Sequence, residues 1–190
     1  DNVVNIREPF WYNGRDDRAE FAAHVFYEYF GSSVLDVGCW KQDLKDELPN
    51  KKQYTGIDIA GDPDIKINLE EKKLDHFSQN QFETVACLDV LEHIDNIHEV
   101  FDDICRVASD YAILSLPNNY MMNDMKKSIL TGQTVSNKFY GLPPEEPEDR
   151  HKWFFNYTQA KKFIYKRTKK NNARIIGQVN YPEDVPLTII

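Results

Sequence analysis

No run in the 190-residue chain approaches the ~20 consecutive apolar residues that a bilayer-spanning helix needs. The opening residues, DNVVNIREPFWYN, lack a basic segment followed by an apolar core, so no secretory leader is expected in them. Cysteine is scarce: Cys39, Cys87 and Cys105 are odd in number, widely spaced and without a CxxC pair. Free thiols in a reducing cytoplasm are the expectation. The five histidines show no ligand spacing such as HExxH, so no metal is expected from the sequence. Positive charge is in deficit. A net charge of −8 and a pI of about 5.1 repel phosphate backbones, which excludes nucleic acid as the main partner. There is no internal repeat.

What remains is ordinary globular material, 41% hydrophobic and 28% charged. It reads as one domain over residues 1–190. Residues 16–30 suggest a helix, with Ala22, Val25, Phe26 and Tyr29 on one face and Gly31 as its stop. SVLDV, QYTGIDI, IKINL, FETVACL, YAILSLP, ARIIGQV and PLTII read as strands in that order. A modest helix is expected over 42–48. An amphipathic one over 96–108 would be capped by Asn96, and another over 158–170 by Thr158. Residues 120–131 read as helical and 132–150 as a long loop. Strands alternating with helices predict an α/β layered sheet with helices on both faces. A ligand then belongs in the crevice at the C-terminal strand ends.

Asp36–Gly38, Asp58, Asn68 and Asp89 all fall at predicted strand ends. A strand–glycine–helix turn lets backbone N–H groups approach a ligand carrying a carboxylate. Asp58 lies 20 residues beyond Gly38, the spacing at which an acid accepts from ribose hydroxyls. The loop has only one glycine, because Trp40 stands where a second would be expected. Its β-carbon is compatible with binding if the residue keeps a negative φ. Its ring would then pack beside the ligand or against the N-terminal helix.

VLDVGCW, YTGIDIA, INLEE, FETVACLDVLEHIDN and YAILSLPN follow one another in the order and spacing of class I S-adenosylmethionine (SAM)-dependent methyltransferases. The chain resembles that family from about Ser33 to Asn118, and most specifically its small-molecule, type 11 branch. The resemblance implies a Rossmann-like, seven-stranded, mostly parallel sheet and SAM as cofactor. Asp36, Gly38 and Trp40 would lie by the methionine end of SAM, and Asp58 with Ile59 by the ribose. Asn68 and Leu69 would flank the adenine. Leu88 and Asp89 would line the sulfonium, with His93 near the transfer point. Two alternatives stand beside it: a nicotinamide-dependent oxidoreductase, weakened by the missing second glycine, and a non-catalytic scaffold in which Trp40 closes the loop.

Residues 119–156 read as an acceptor-side insertion. FYGLPPEEPEDRHKWFFNYTQA resembles a segment of methyltransferases from bacterial surface-polysaccharide pathways. Its aromatics and polar neighbours suit a sugar ring. Asn119, Tyr120, Asp149, Arg150 and Trp153 are candidate acceptor contacts, and His151 rivals His93 as general base. Methyl transfer to oxygen of a small-molecule or glycan acceptor is the expected activity. The basic run KKFIYKRTKK reads as a solvated helix end, with weak membrane-surface contact as the alternative.

Overall fold

The computed structural model describes residues 17–48, 53–117, 130–132, 144–145, 150–180 and 186–190. Seven strands form one sheet: β1 (Ser33–Val37), β2 (Gln53–Asp58), β3 (Ile65–Lys66), β4 (Phe82–Leu88), β5 (Ala108–Ser115), β6 (Gly177–Asn180) and β7 (Pro186–Ile189). Their spatial order is β3-β2-β1-β4-β5-β7-β6. The first five run parallel, and β7 is antiparallel to both β5 and β6. The expected seven-stranded, mostly parallel sheet is therefore present.

The central strands are apolar on both faces, and each face feeds its own core. Val34, Ala86 and Ile113 pack with Phe21, Val25 and Phe26, from and just beyond α1 (Arg18–Val25), and with Leu44 of α2 (Asp43–Asp46). Leu35, Val85, Cys87 and Leu114 point the other way. They meet Ile97, Val100, Phe101 and Ile104 of α4 (Ile97–Val107), and Ala160 and Ile164 of α5 (Tyr157–Lys170). Alternation along a strand buried on both sides produces this two-sided core.

Several boundaries differ from the sequence reading for local reasons. The expected helix over 16–30 is α1 followed by a 3-10 turn at Tyr27–Tyr29. The third strand stops at Lys66 because Asn68 caps α3 (Leu69–Lys72), its side chain accepting from Glu70 N at 3.1 Å. Helix α5 starts at Tyr157, where Asn156 and Gln159 form a reciprocal capping box, so Thr158 is not the cap. Asn96 does not cap α4 with its side chain; its Nδ2 donates to Leu69 O at 2.9 Å. Strand β6 begins at Gly177 rather than Ala173. Ala173 N closes the end of α5 on Thr168 O. Of the helix expected over 120–131, only 130–131 are described, and both are helical.

The basic run lies on α5 as expected, but two of its cations are committed. Arg167 and Lys170 both pair with Asp102 of α4. The three cysteines are free, and burial pushes the Cys39 and Cys105 thiols up to about 12, which disqualifies both as nucleophiles near neutral pH.

Sheet order reverses between β1 and β4. In open α/β sheets the C-terminal strand ends at such a reversal are where a ligand binds.

Candidate functional site

The loop leaving β1 has a close neighbour. Gly38 has φ +79°, and a β-carbon on it would lie 2.2 Å from Val90 Cγ2. Glycine is needed twice over, for the dihedral and for the approach of the β4 loop. Gly38 N and Cys39 N both donate to Ile57 O of β2, at 2.8 and 3.1 Å.

Trp40 departs from expectation. Its φ is +46°, not negative, so it adopts the left-handed conformation that a glycine would take. Its side chain is 52% exposed, which places the ring on the loop surface rather than inside the N-terminal helix packing. Its backbone is used fully. Trp40 N donates to Asp58 Oδ2 at 2.9 Å, and Trp40 O accepts from Asp62 N at 2.9 Å. The main chain of Trp40 thus ties the loop after β1 to the loop after β2, and Gln42 Nε2 adds a bond to Asp62 O at 2.6 Å.

Asp58 ends β2, and its other oxygen accepts from Ala60 N at 2.9 Å. Ile59 beside it is exposed. Asp36, on β1, is 5% exposed and accepts from Tyr54 Oη at 2.5 Å. Burial raises its carboxyl to about 7; the Tyr54 hydrogen bond opposes the rise, and Asp58 and Asp43 add to it. Asn68 sits at the cap of α3, and Leu69 is buried in the core.

At the end of β4, Arg18 of α1 donates to Leu88 O at 2.9 Å and pairs with Asp89 Oδ2 at 3.0 Å. Ser115 Oγ donates to Asp89 Oδ1 at 2.5 Å. These bonds hold Asp89 at φ +54°. Arg18 was not singled out by the sequence reading, because its partners are 70 residues away.

Past Asp89, a 3-10 turn at Leu91–His93 carries Glu92 into the core at 0% exposure. Lys152 N and Trp153 N both donate to Glu92 O, at 2.8 and 3.2 Å, and Trp153 Nε1 donates to Ile94 O at 2.7 Å. Those bonds pin residues 151–153 along residues 92–94. His151, 3% exposed, is thereby brought to His93, with ring centroids 4.4 Å apart. Glu92 Oε1 lies 3.5 Å from His93 Nε2 and 3.9 Å from His151 Nε2. Burial raises the Glu92 carboxyl above its ordinary range, against the pull of His93.

The two histidines proposed from sequence as rivals are therefore neighbours around one buried acid. Glu92 was missed: an acid inside an otherwise apolar VLEHI run was the available signal. No local spacing announced the trio, because His151 joins it through tertiary contacts. Trp153 and Arg150 are near the cluster in sequence, Trp153 by direct contact. Asn119, Tyr120 and Asp149 lie outside the described residues.

The chain matches the model of a family described as methyltransferase domain over residues 15–161. Among solved structures it is similar to magnesium protoporphyrin IX methyltransferase from Synechocystis PCC 6803 with bound SAH. That match has 16% identity and a TM-score of 0.60, covering 92% of this chain and 81% of that one. It is also similar to the methyltransferase domain of bacterial CtHen1-C, at 13% identity and TM-score 0.62, covering 92% and 96%. A third is a SAM-dependent methyltransferase from Mesorhizobium loti, at 10% identity and TM-score 0.59, covering 93% and 99%. At these identities the likeness shows the fold. No curated protein matches the chain.

Proposed function

The chain belongs to the methyltransferase-domain family, that of class I SAM-dependent enzymes, and on that premise we propose that it methylates a hydroxyl oxygen of a small-molecule or glycan acceptor. The observation that carries this reading is the junction of the strand-end loops. Trp40 N meets the Asp58 carboxylate between the neighbouring β1 and β2 ends, and Gly38 meets Val90 of the β4 loop on the other side of β1, at the reversal of strand order. The residue types fit SAM. Gly38 makes the left-handed turn that packs the β1 loop on Val90 of the β4 loop, and Asp58 presents a carboxylate at the neighbouring strand end. Asp36 offers a buried acid for the methionine ammonium. When bound, SAM supplies a methyl carbon already activated by its sulfonium.

The protein's own part is to orient and exclude water. Asp58 would hold the ribose hydroxyls. Arg18 fixes the Leu88–Asp89 backbone against which the cofactor would lie. The Glu92–His93–His151 cluster, three residues past Asp89, is where an acceptor hydroxyl would be activated. Trp153 and Arg150, with Asn119, Tyr120 and Asp149, would form the acceptor side, and the free thiols suit a cytoplasmic setting.

The direct test is calorimetric titration with S-adenosylhomocysteine. Asp58→Ala removes an ionised acceptor, a loss of roughly 1.5–3 kcal/mol, so binding should weaken about 10–100-fold. No binding by the parent chain would move the reading to the scaffold alternative. The half-exposed Trp40 gives a second readout. Its fluorescence should change on S-adenosylhomocysteine binding, and the change should shrink in Trp40→Phe, with Trp153→Phe as the comparison, while the affinity stays within a few fold. A change of the parent's full size in Trp40→Phe would remove Trp40 from the cofactor's surroundings.

A further inference from the structure

The geometry points to a divalent-cation site made of the Glu92 carboxylate and imidazole nitrogens of His93 and His151, on the acceptor side of the transfer point. Nothing in the methyltransferase family membership assigns this site. Its suggested role rests on the transferase reading above.

Three observations support it. First, one donor atom from each residue lies within 4.8 Å of the other two, and the Glu92–His93 and Glu92–His151 separations are 3.5 and 3.9 Å. A cation at 2.0–2.2 Å from each donor requires them about 3–3.5 Å apart. The two Glu92 separations are within about half an ångström of that spacing, and the two imidazoles, no more than 4.8 Å apart at their donor atoms, would close in by about an ångström.

Second, Glu92 is fully buried, and neither of its oxygens accepts a hydrogen bond among the described residues. Its 3.5 Å approach to His93 is an ion-pair distance, longer than a formed hydrogen bond. A buried acid normally has its lone pairs taken, since leaving them empty costs several kcal/mol. A cation would take them.

Third, bonds outside the three side chains hold them together. Lys152 N and Trp153 N donate to Glu92 O, and Trp153 Nε1 donates to Ile94 O, which keeps residues 151–153 along residues 92–94. Lys152 Nζ, bridging Glu70 and Asp95, reinforces the same docking from outside. The ligands are thus held by supporting contacts before any ion arrives.

Two imidazoles and one carboxylate favour a first-row transition cation over calcium or magnesium. Three protein ligands leave positions open for an acceptor oxygen. The His93 side chain, 21% exposed, stands at the open edge of the cluster. At such a position the acceptor hydroxyl would lose its proton to solvent more readily. The oxygen then forms its bond to the methyl carbon while the carbon–sulfur bond breaks. The bonding pair returns to sulfur and leaves a neutral thioether.

The test uses tag-free full chain stripped of metal. Co2+ is titrated by visible absorbance and by calorimetry, and S-adenosylhomocysteine is titrated separately on the same samples. One Co2+ per chain, with ligand-field bands, is the expected result. Glu92→Gln and His151→Ala should each weaken Co2+ binding by at least about 100-fold, because supporting partners alone are worth 10–100-fold. S-adenosylhomocysteine affinity should stay within a few fold. His93→Gln, the least buried substitution, provides the comparison if either buried variant fails to fold.

No Co2+ or Mn2+ binding by the parent chain up to millimolar concentration overturns the site. So do folded variants that bind Co2+ as tightly as the parent, since the ion would then sit elsewhere. The two readings fail separately. Loss of S-adenosylhomocysteine binding with Co2+ retained removes the transferase reading and leaves the site, and the converse removes only the site.

Discussion

Replacing Gly61 with alanine is expected to destabilise the chain by about 3 kcal/mol and to abolish tight cofactor binding, although Gly61 touches no proposed ligand. The estimate combines two costs. Gly61 has φ +73°, where a β-carbon costs about 1–2 kcal/mol. That β-carbon would lie 2.3 Å from Trp40 O, 2.8 Å from its carbonyl carbon and 3.1 Å from its Cα. These are backbone atoms, so no rotamer change relieves the clash. The loop must shift, at a further roughly 1–3 kcal/mol. The displaced carbonyl is the acceptor for Asp62 N, and the same residue's N–H holds Asp58. Strain and site geometry therefore break together. Gly132 is the control: its φ is +67°, but a β-carbon there meets nothing within 4 Å among the described residues. Gly132→Ala should cost about 1 kcal/mol. Thermal melts should show Gly61→Ala falling by roughly 6–12 °C, at about 2–4 °C per kcal/mol, and Gly132→Ala by much less. Equal melting of the two would show that the Trp40 contact contributes nothing.

The Gly61–Trp40 contact also shows where sequence reading stops. The sheet was legible because its strands are apolar, β-branched and bounded by turn residues. FETVACL and the helix after it keep their period throughout. Asp36, Gly38 and Asp58 could be placed because strand ends and a glycine carry position in their local pattern. Trp40 could not be placed. Only the close approach of Gly61 and the Asp58 carboxylate, 18 residues on, makes a left-handed tryptophan tolerable there. The same limit hid Glu92 and separated His93 from His151. Their meeting depends on backbone bonds between residues 92 and 152–153, which no periodicity encodes. Caps were misassigned where two polar residues competed. Asn156 has Gln159 at the third helical position and displaces Thr158, while Asn96 turns its amide to Leu69 O instead.

Asp36→Asn is expected to stabilise the empty protein at pH 8 by up to about 4 kcal/mol and to do almost nothing near pH 4. The Asp36 carboxyl is raised from 3.8 in the unfolded chain to about 7 in the fold, by burial above all. Between those values the native state keeps a proton that the unfolded chain has released. Native stability therefore falls as pH rises from about 4 to about 7, and is flat beyond. At 1.36 kcal/mol per pKa unit the full span is about 4 kcal/mol. Solvent entering the crevice would reduce it. Asparagine keeps an oxygen to accept from Tyr54 Oη and carries no charge, so the variant should lack this slope. The measurement is the melting temperature of both proteins from pH 5 to pH 8. About 2.6 kcal/mol of the span falls in that window, so the gap should widen by roughly 5–10 °C, and a gap that does not change with pH would show that Asp36 is not raised. The same charge should appear in binding. An ammonium group placed against Asp36 favours its ionised form, so S-adenosylhomocysteine should displace a proton near pH 7. Calorimetry in two buffers of different ionisation heat detects that release in the parent chain and not in Asp36→Asn. The asparagine variant should then be more stable and bind more weakly, both effects growing with pH. That coupling separates a carboxylate kept for its ligand from one that is simply buried.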